Sequence, residues 1–272
     1  MRLDPHARVA YDDFAPFYDA FTAGHDYEAW TRDLEALARE AGLRGRRLLD
    51  VACGSGKSFL PFLERGYAVT ACDISPAMAG LAAAKAQGRA RVEVHDMREL
   101  PRLGEFDLVL CLDDAVNYLL DRVELGAALA GMRRNLSPGG IAIFDANCLH
   151  TYRSAFATLS VVPSDDLVIV WRGETSPGLE PGGRGAATTQ VLRRAPPGGW
   201  VETTQRHLQR HHPESAVRGA AGAAGLRLAC VRGMRSDGSF HAAVDELRCS
   251  KAVYVATAAD QDQSPGTGTR GT

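Results

Sequence analysis

The 272 residues predict an α/β protein built on a parallel sheet with helices on both faces. Three observations carry this. Apolar runs bounded by Gly, Asp or Pro recur along the first half of the chain. Stretches with helical periodicity separate most of them. A glycine-bearing loop, Asp50-Val51-Ala52-Cys53-Gly54-Ser55-Gly56, follows the first run and opens a helix. Alternating βαβ units give a parallel sheet covered on both faces. A ligand is then expected at the carboxyl ends of the strands, where strand order reverses.

Taken in order, the aromatic stretch YDDFAPFYDAF comes first. A helix is predicted over 26–41, since Trp30, Leu34, Leu37, Ala38 and Ala41 share one apolar face and Gly42 can end it. Strands are predicted at RRLLDVAC, YAVTACD, RVEVHD, FDLVLCLD and GGIAIFDAN, with helices over 59–65, 77–87 and 122–135. After Ser160 the pattern changes. LVIVWRGE, AATTQVLRR and WVETTQRHLQ read as antiparallel strands, two of them separated by a Pro196-Pro197-Gly198-Gly199 turn. The Gly- and Pro-rich stretch 175–185 reads as a mobile loop. LRLACVRG and SKAVYVAT close the main sheet. The tail AADQDQSPGTGTRGT carries no packing signal and is expected to be disordered. The resulting division is an N-terminal helical lid (1–45), a core (46–159 and 214–257), a small antiparallel insertion (160–213) that roofs the acceptor pocket, and the tail (258–272).

Composition narrows the function. A chain with 45% hydrophobic and 24% charged residues forms a packed core. A net charge of −2 argues against DNA or RNA as partner, because phosphate contacts call for Lys and Arg. The start, MRLDPHARVAYDDF, has no apolar signal segment, and no apolar run is long enough to span a bilayer, so a cytoplasmic location without membrane contact is expected. Cys53, Cys72, Cys111, Cys148, Cys230 and Cys249 are scattered and form no CxxC pair. They read as reduced, buried apolar residues rather than metal ligands.

Gly54 and Gly56 permit a tight turn and close approach of a ligand to the backbone. Asp73 ends the second strand, where a carboxylate can accept from both hydroxyls of a ribose. Asp96-Met97 ends the third, where an acid can take an adenine amino group and Met can cover the ring. Two other readings of the loop fail. Gly56-Lys57-Ser58 resembles the end of a P-loop, but Val51 stands where that motif needs glycine. A dinucleotide fingerprint needs a third glycine where Phe59 stands. The loop therefore suits a nucleoside without a pyrophosphate.

On these residues the sequence resembles the class I S-adenosylmethionine-dependent methyltransferases. LLDVACGSG is similar to their first motif and CDISPAM to the stretch after their second strand. FDLVLCLDD and LSPGGIAIFDAN match their fourth and fifth strands. The resemblance implies a Rossmann-like, seven-stranded, mostly parallel sheet with its last strand antiparallel. It implies S-adenosylmethionine as cofactor, with contacts at Asp50, Ala52, Gly54, Gly56, Asp73, Ile74, Met78, Asp96, Met97 and Leu112. YDDFAPFYDAFTAGHDYEAW is similar to the start of actinobacterial natural-product and small-amine methyltransferases, where this segment folds over the cofactor. Tyr11, Tyr18 and Trp30 are then expected around the sulfonium and the acceptor.

The acceptor is read as a small molecule. The D/N-P-P-Y motif of nucleobase amino-group methylation is replaced here by Leu112-Asp113-Asp114-Ala115, with one of the two acids expected to cap the next helix. Asn117 and Tyr118 should face the acceptor pocket, and His150 follows the fifth strand closely enough to join them. Asp145 and Asn147, together with Asp113, suggest a magnesium-dependent catechol-type site, but Ala146 interrupts the adjacent Asp-Asn pair such sites use, so no metal is expected. His207, His211 and His212 read either as a solvated strand end or as a source of one pocket residue, His207 foremost. An amine attacks with its own lone pair, whereas a hydroxyl usually needs a base. N-methylation of a secondary-metabolite amine, with Tyr11, Tyr18 and Tyr118 as catalytic residues, is therefore favoured over O-methylation. A non-catalytic cofactor-binding protein and a nucleotide-dependent oxidoreductase remain as other classes. The sequence leaves the oligomeric state open, a homo-oligomer included.

Overall fold

The computed structural model describes residues 6–259. Two N-terminal helices, α1 (His6–Phe21) and α2 (Tyr27–Glu40), precede the sheet. Asp26 caps α2 by accepting the Ala29 N–H, and Gly42, at φ +107°, follows its end. This is the helix expected over 26–41.

The strands β1 (Arg47–Val51), β2 (Ala68–Asp73), β3 (Ala90–Val94), β4 (Phe106–Cys111) and β5 (Leu136–Asn147) pair in parallel, in the order β3-β2-β1-β4-β5. The helices α3 (Leu60–Glu64), α4 (Pro76–Ala86) and α5 (Arg122–Asn135) connect them. Order reverses between β1 and β4, so the ligand cleft is expected over their carboxyl ends. Both faces are buried: Leu49, Val109 and Phe144 sit in one apolar cluster, Leu48, Leu108 and Ile143 in the other.

A short helix, α6 (Leu149–Arg153), leads into a second sheet of four antiparallel strands: β6 (Leu159–Pro163), β7 (Leu167–Gly173), β8 (Arg184–Ala195) and β9 (Gly199–Arg210). Three were expected. The fourth, β6, is an edge strand with all five residues exposed, so burial imposed no alternation on its sequence. The loop before β8 is pinned rather than free at both ends. The Thr175 hydroxyl bonds Ala186 N and O at 2.8 and 3.0 Å, and Arg153 donates to Leu179 O at 2.7 Å. Arg184 and Gly185 already belong to β8.

The chain returns through α7 (Glu214–Ala223), β10 (Leu226–Met234), the two-residue β11 (Phe240–His241) and β12 (Lys251–Ala258). β12 runs antiparallel to β5 and β10. The main sheet thus has eight strands rather than seven, because β11 adds a short edge to β10. Ala258 closes β12, so the core extends one residue into the expected tail, and 260–272 lie outside the described residues. All six cysteines are unpaired, and five are buried. Among the described residues no helix is long and apolar enough to cross a membrane.

α1 is fastened over the glycine loop. Ser75 and Ser55 donate to Asp12 and Asp19, each at 2.6 Å, and Lys57 Nζ donates to Thr22 O at 2.9 Å. Its other side, through Phe14, packs on Ile169 and Val191 of the second sheet. α1 therefore bridges the main sheet and the second sheet.

Candidate active site

Two joined cavities, about 650 and 530 Å³, open at the carboxyl ends of β1, β2 and β4 and share Ala7, Ala52, Ile74, Met97 and Tyr118. The loop after β1 forms their floor. Ala52 and Gly54 have positive φ, of 58° and 54°, which turns the chain sharply. Gly54 N–H donates to Asp73 Oδ2 at 2.8 Å, and Ser75 N–H to Asp73 Oδ1 at 2.9 Å. Burial raises the Asp73 carboxyl to about 6 against these two donors, which favour its charge. A Cβ on Gly54 would stand 3.7 Å from the Tyr18 ring, in the gap between loop and lid.

Of the residues singled out in the sequence, Asp73, Gly54, Ile74, Met97, Leu112, Tyr11, Tyr18 and Tyr118 line the larger cavity. Asp96 lines the smaller, but its carboxylate is already forked by the Arg98 guanidinium at 2.7 and 3.0 Å. It is a held acid, not one waiting for a partner.

Besides His207, six expected site residues lie elsewhere. Asp50 is fully buried beneath the loop, bonded by Ser58 Oγ at 2.5 Å, and burial raises it to about 7. Gly56 turns its missing side chain toward protein: a Cβ would meet Phe59 at 2.9 Å, so it serves helix packing rather than a ligand. Met78 is buried on α4, where its N–H donates to Ser75 Oγ. Trp30 packs against the core beneath the Lys251 ammonium, 5.4 Å from its ring centre. Tyr27, one turn earlier, takes the cavity wall instead. Asn117 is a staple, donating to Arg210 O at 2.8 Å and accepting Asn147 N–H at 2.9 Å. His150 sits on α6, tied through its N–H to Glu246 O, and lines neither cavity.

The three histidines are not a solvated strand end. His207, His211 and His212 are each at most 2% exposed. His211 pairs with Glu246 at 3.1 Å, and His212 Nε2 bonds Leu119 O at 2.9 Å. His207, expected to meet the acceptor, lines neither cavity but stands behind Tyr118, with Nδ1 3.0 Å from the Tyr118 hydroxyl, which also accepts from the Tyr11 hydroxyl at 2.9 Å. Burial alone lowers His207 to about 4, and burial chiefly pushes the Tyr11 and Tyr118 phenols above their ordinary value. This wall is electrically neutral at pH 7.

Charge concentrates at the other end. Asp113 and Asp114 both adopt positive φ, of 60° and 54°, and donate their N–H groups to Asp145 at 3.0 and 2.6 Å. Neither caps the following 3₁₀ turn with its side chain. Instead Lys251 Nζ lies 2.7 Å from Asp113, 3.1 Å from Asp114 and 3.6 Å from Asp145. Burial alone would raise Asp113, but the ammonium outweighs it and holds Asp113 below the usual range. Asp145 rises through burial to about 6. Tyr27 and Tyr18 donate to Asp113 at 2.9 and 3.3 Å. Lys57 Nζ stands on the same wall, spending two donors on Thr22. Asp113 and Asp145 thus face a lysine, while Asn147 bonds Asn117 and Gln209. Among the described residues no group of acids, histidines or cysteines is arranged to hold a metal.

Lys57, Tyr27, Asp113 and Lys251 were missed as site residues. The GKS triplet signalled Lys57, but only as a phosphate ligand. Nothing in sequence links Lys251 to Asp113, 138 residues away.

Residues 48–140 match the model of the methyltransferase domain family. YqeM of Bacillus subtilis is 31% identical over 168 residues, covering 60% of this chain and 66% of that protein. A dTDP-3-amino-3,4,6-trideoxy-α-D-glucopyranose N,N-dimethyltransferase of Streptomyces venezuelae is 35% identical over 136 residues, covering 49% of this chain and 56% of that enzyme. The chain thus spans just under two thirds of the first relative's length and about half of the second's. The crystal structure of Streptomyces venezuelae DesVI matches 95% of this chain and all of its own, with a TM-score of 0.68 at 25% identity. Over residues 48–140 the chain thus carries a methyltransferase domain.

Lys251→Met removes the one ammonium that faces three carboxylates. The expected loss of stability is about 3–5 kcal/mol, as for other buried pairs broken on one side. Urea unfolding measures it. A loss under about 1 kcal/mol would mean that the carboxylates do not depend on Lys251.

Proposed function

We propose that the protein methylates a small-molecule amine, of the amino-sugar class, and that the cleft holds S-adenosylmethionine with its adenosine along Asp73 and Met97. The residues fit that cofactor. Asp73 stands ready for two ribose hydroxyls, and Met97 lies where the two cavities meet. Lys57 and Asp113, one cation and one anion, match the carboxylate and ammonium of an amino acid. Bound cofactor supplies a methyl carbon already activated by positive sulfur.

The observation that carries the amine reading is the neutral wall of Tyr11, Tyr118 and His207. A hydroxyl acceptor needs its proton removed, and an imidazole held at about 4 by burial is a weak base for that. An amine brings its own lone pair. Its nitrogen forms the C–N bond as the C–S bond breaks, the electron pair passes to sulfur, and the product ammonium loses its proton to solvent on release. The protein has to align the two and keep water out. Amino-sugar dimethylation by the Streptomyces venezuelae relative supports the same class of acceptor.

The direct test uses dTDP-3-amino-3,4,6-trideoxyglucose and its 3-hydroxy counterpart as acceptors, with products identified by mass spectrometry and NMR. An N-methyl product from the first and none from the second is expected. A methyl ether would overturn the amine reading.

Two binding measurements test the cofactor placement. Asp73 must ionise to accept both hydroxyls. Because burial raises its carboxyl to about 6, affinity for S-adenosylhomocysteine should be flat above pH 7 and fall by up to about tenfold per unit below 6. Calorimetry across pH 5–8 reads this, and Asp73→Asn should bind weakly with no such slope. Lys57→Met should weaken S-adenosylhomocysteine by about tenfold or more, as loss of a charged hydrogen bond does, yet leave 5′-methylthioadenosine unchanged. Equal loss for both ligands would remove Lys57 from the amino-acid end.

A further inference from the structure

His207 sits on β9 opposite Ala187, 2% exposed, among Tyr11, Phe14 and Trp171 at ring distances of 5.6, 6.0 and 5.4 Å. Both its nitrogens are bonded: Nδ1 to the Tyr118 hydroxyl at 3.0 Å and Nε2 to Thr189 Oγ1 at 2.9 Å. Beyond Thr189 lies the Gln205 carbonyl Oε1, at 3.2 Å.

The far end of this chain fixes its direction. Thr189 Oγ1 also lies 3.5 Å from the main-chain carbonyl of Gln205, which can only accept, so Thr189 spends its hydrogen on Gln205. Thr189 then accepts from His207, which places the ring proton on Nε2. A neutral ring has a single N–H, and burial keeps His207 neutral at pH 7. Nδ1 is therefore an acceptor, and the Tyr118 O–H donates to it. Tyr11 donates in turn to Tyr118.

The chain cannot carry a proton away. It ends on an amide carbonyl with nothing to pass on, and an imidazole at about 4 does not take a proton from an alkylammonium. It can only orient.

Resting on the amine reading above, we propose that His207 is a positioning residue: it points the Tyr118 hydrogen away from the cleft, so that Tyr118 offers the lone pair not taken by Tyr11 to an N–H of the acceptor. One N–H held there turns the nitrogen's own lone pair toward the methyl group. Tyr118 lines both cavities, so it is placed to make this contact, whereas His207 acts only through it.

Ring-nitrogen NMR of the S-adenosylhomocysteine complex reads the orientation without turnover. His207 should stay neutral and protonated on Nε2 from pH 5 to 9. Protonation on Nδ1, or titration within that range, would overturn the proposal. Kinetics with dTDP-3-amino-3,4,6-trideoxyglucose read the consequence. His207→Phe should keep S-adenosylhomocysteine affinity within about twofold and lower kcat by roughly 30- to 100-fold, the scale of a misaligned nucleophile, with little change in KM. His207→Asn, whose amide oxygen can replace Nδ1, should recover most of that loss. The acid limb of kcat/KM should be unchanged in both variants. An unchanged kcat in the Phe variant, equal losses in both variants, or disappearance of the acid limb would each count against positioning. Should the wild-type methylate no amine, the reading of function fails, while the spectra still decide how Tyr118 is oriented.

Discussion

The site depends on one buried ammonium. Lys251 opens β12 and faces carboxylates from the ends of β4 and β5. Through Asp113 it reaches Tyr18 of α1 and Tyr27 of α2. Through Asp114 it reaches Gln209 of β9, whose amide donates at 2.5 Å. The N-terminal helices, the main sheet and β9 meet at this charge, as α1, the main sheet and β9 do again through Tyr11, Tyr118 and His207. Two consecutive non-glycine residues with positive φ are unusual, though Asp tolerates that region better than most. Asp145 holds both by their N–H groups, and Lys251 offsets part of the charge of three crowded acids. A net negative remainder leaves this end suited to a ligand's ammonium.

How far the sequence could be read follows from the distance over which each feature is encoded. α2 and α5 carry their own caps, Asp26 and Asp121, beside an apolar face, so their limits were legible locally. The glycine loop and Asp73 sit on adjacent turns of one βαβ unit and were legible for the same reason. β6 and β11 were not: one is fully exposed and the other two residues long, so neither shows a buried period. Trp30 and Tyr27 lie three apart on α2, nearly on one face. Periodicity shows that both turn inward but not which meets the cleft.

The histidines failed for a more instructive reason. Along β9, Gln205, His207 and Gln209 are buried on one face while Glu202 and Arg206 lie exposed or nearly so. A polar residue in an alternating strand normally marks the solvent face. Here the inward face is itself the polar site, so the rule pointed outward. Buried polar groups are tolerated because they are bonded, and His207 has a partner on each nitrogen. The same inversion hid Lys251, whose three partners stand more than a hundred residues earlier in the chain.

The cleft thus separates two kinds of surface: Lys57 and Asp113 at one end, neutral rings at the other. Methyl transfer to an amine moves positive charge from sulfur to nitrogen without creating any, so a neutral wall at the reacting atoms and fixed charges at the handle suit it. A crystal structure with S-adenosylhomocysteine tests this division most directly. The sulfur should face Tyr11 and Tyr118, with the amino-acid group between Lys57 and Asp113 and adenine against Met97. A sulfur remote from Tyr118, or an amino-acid group lying among the rings, would contradict it.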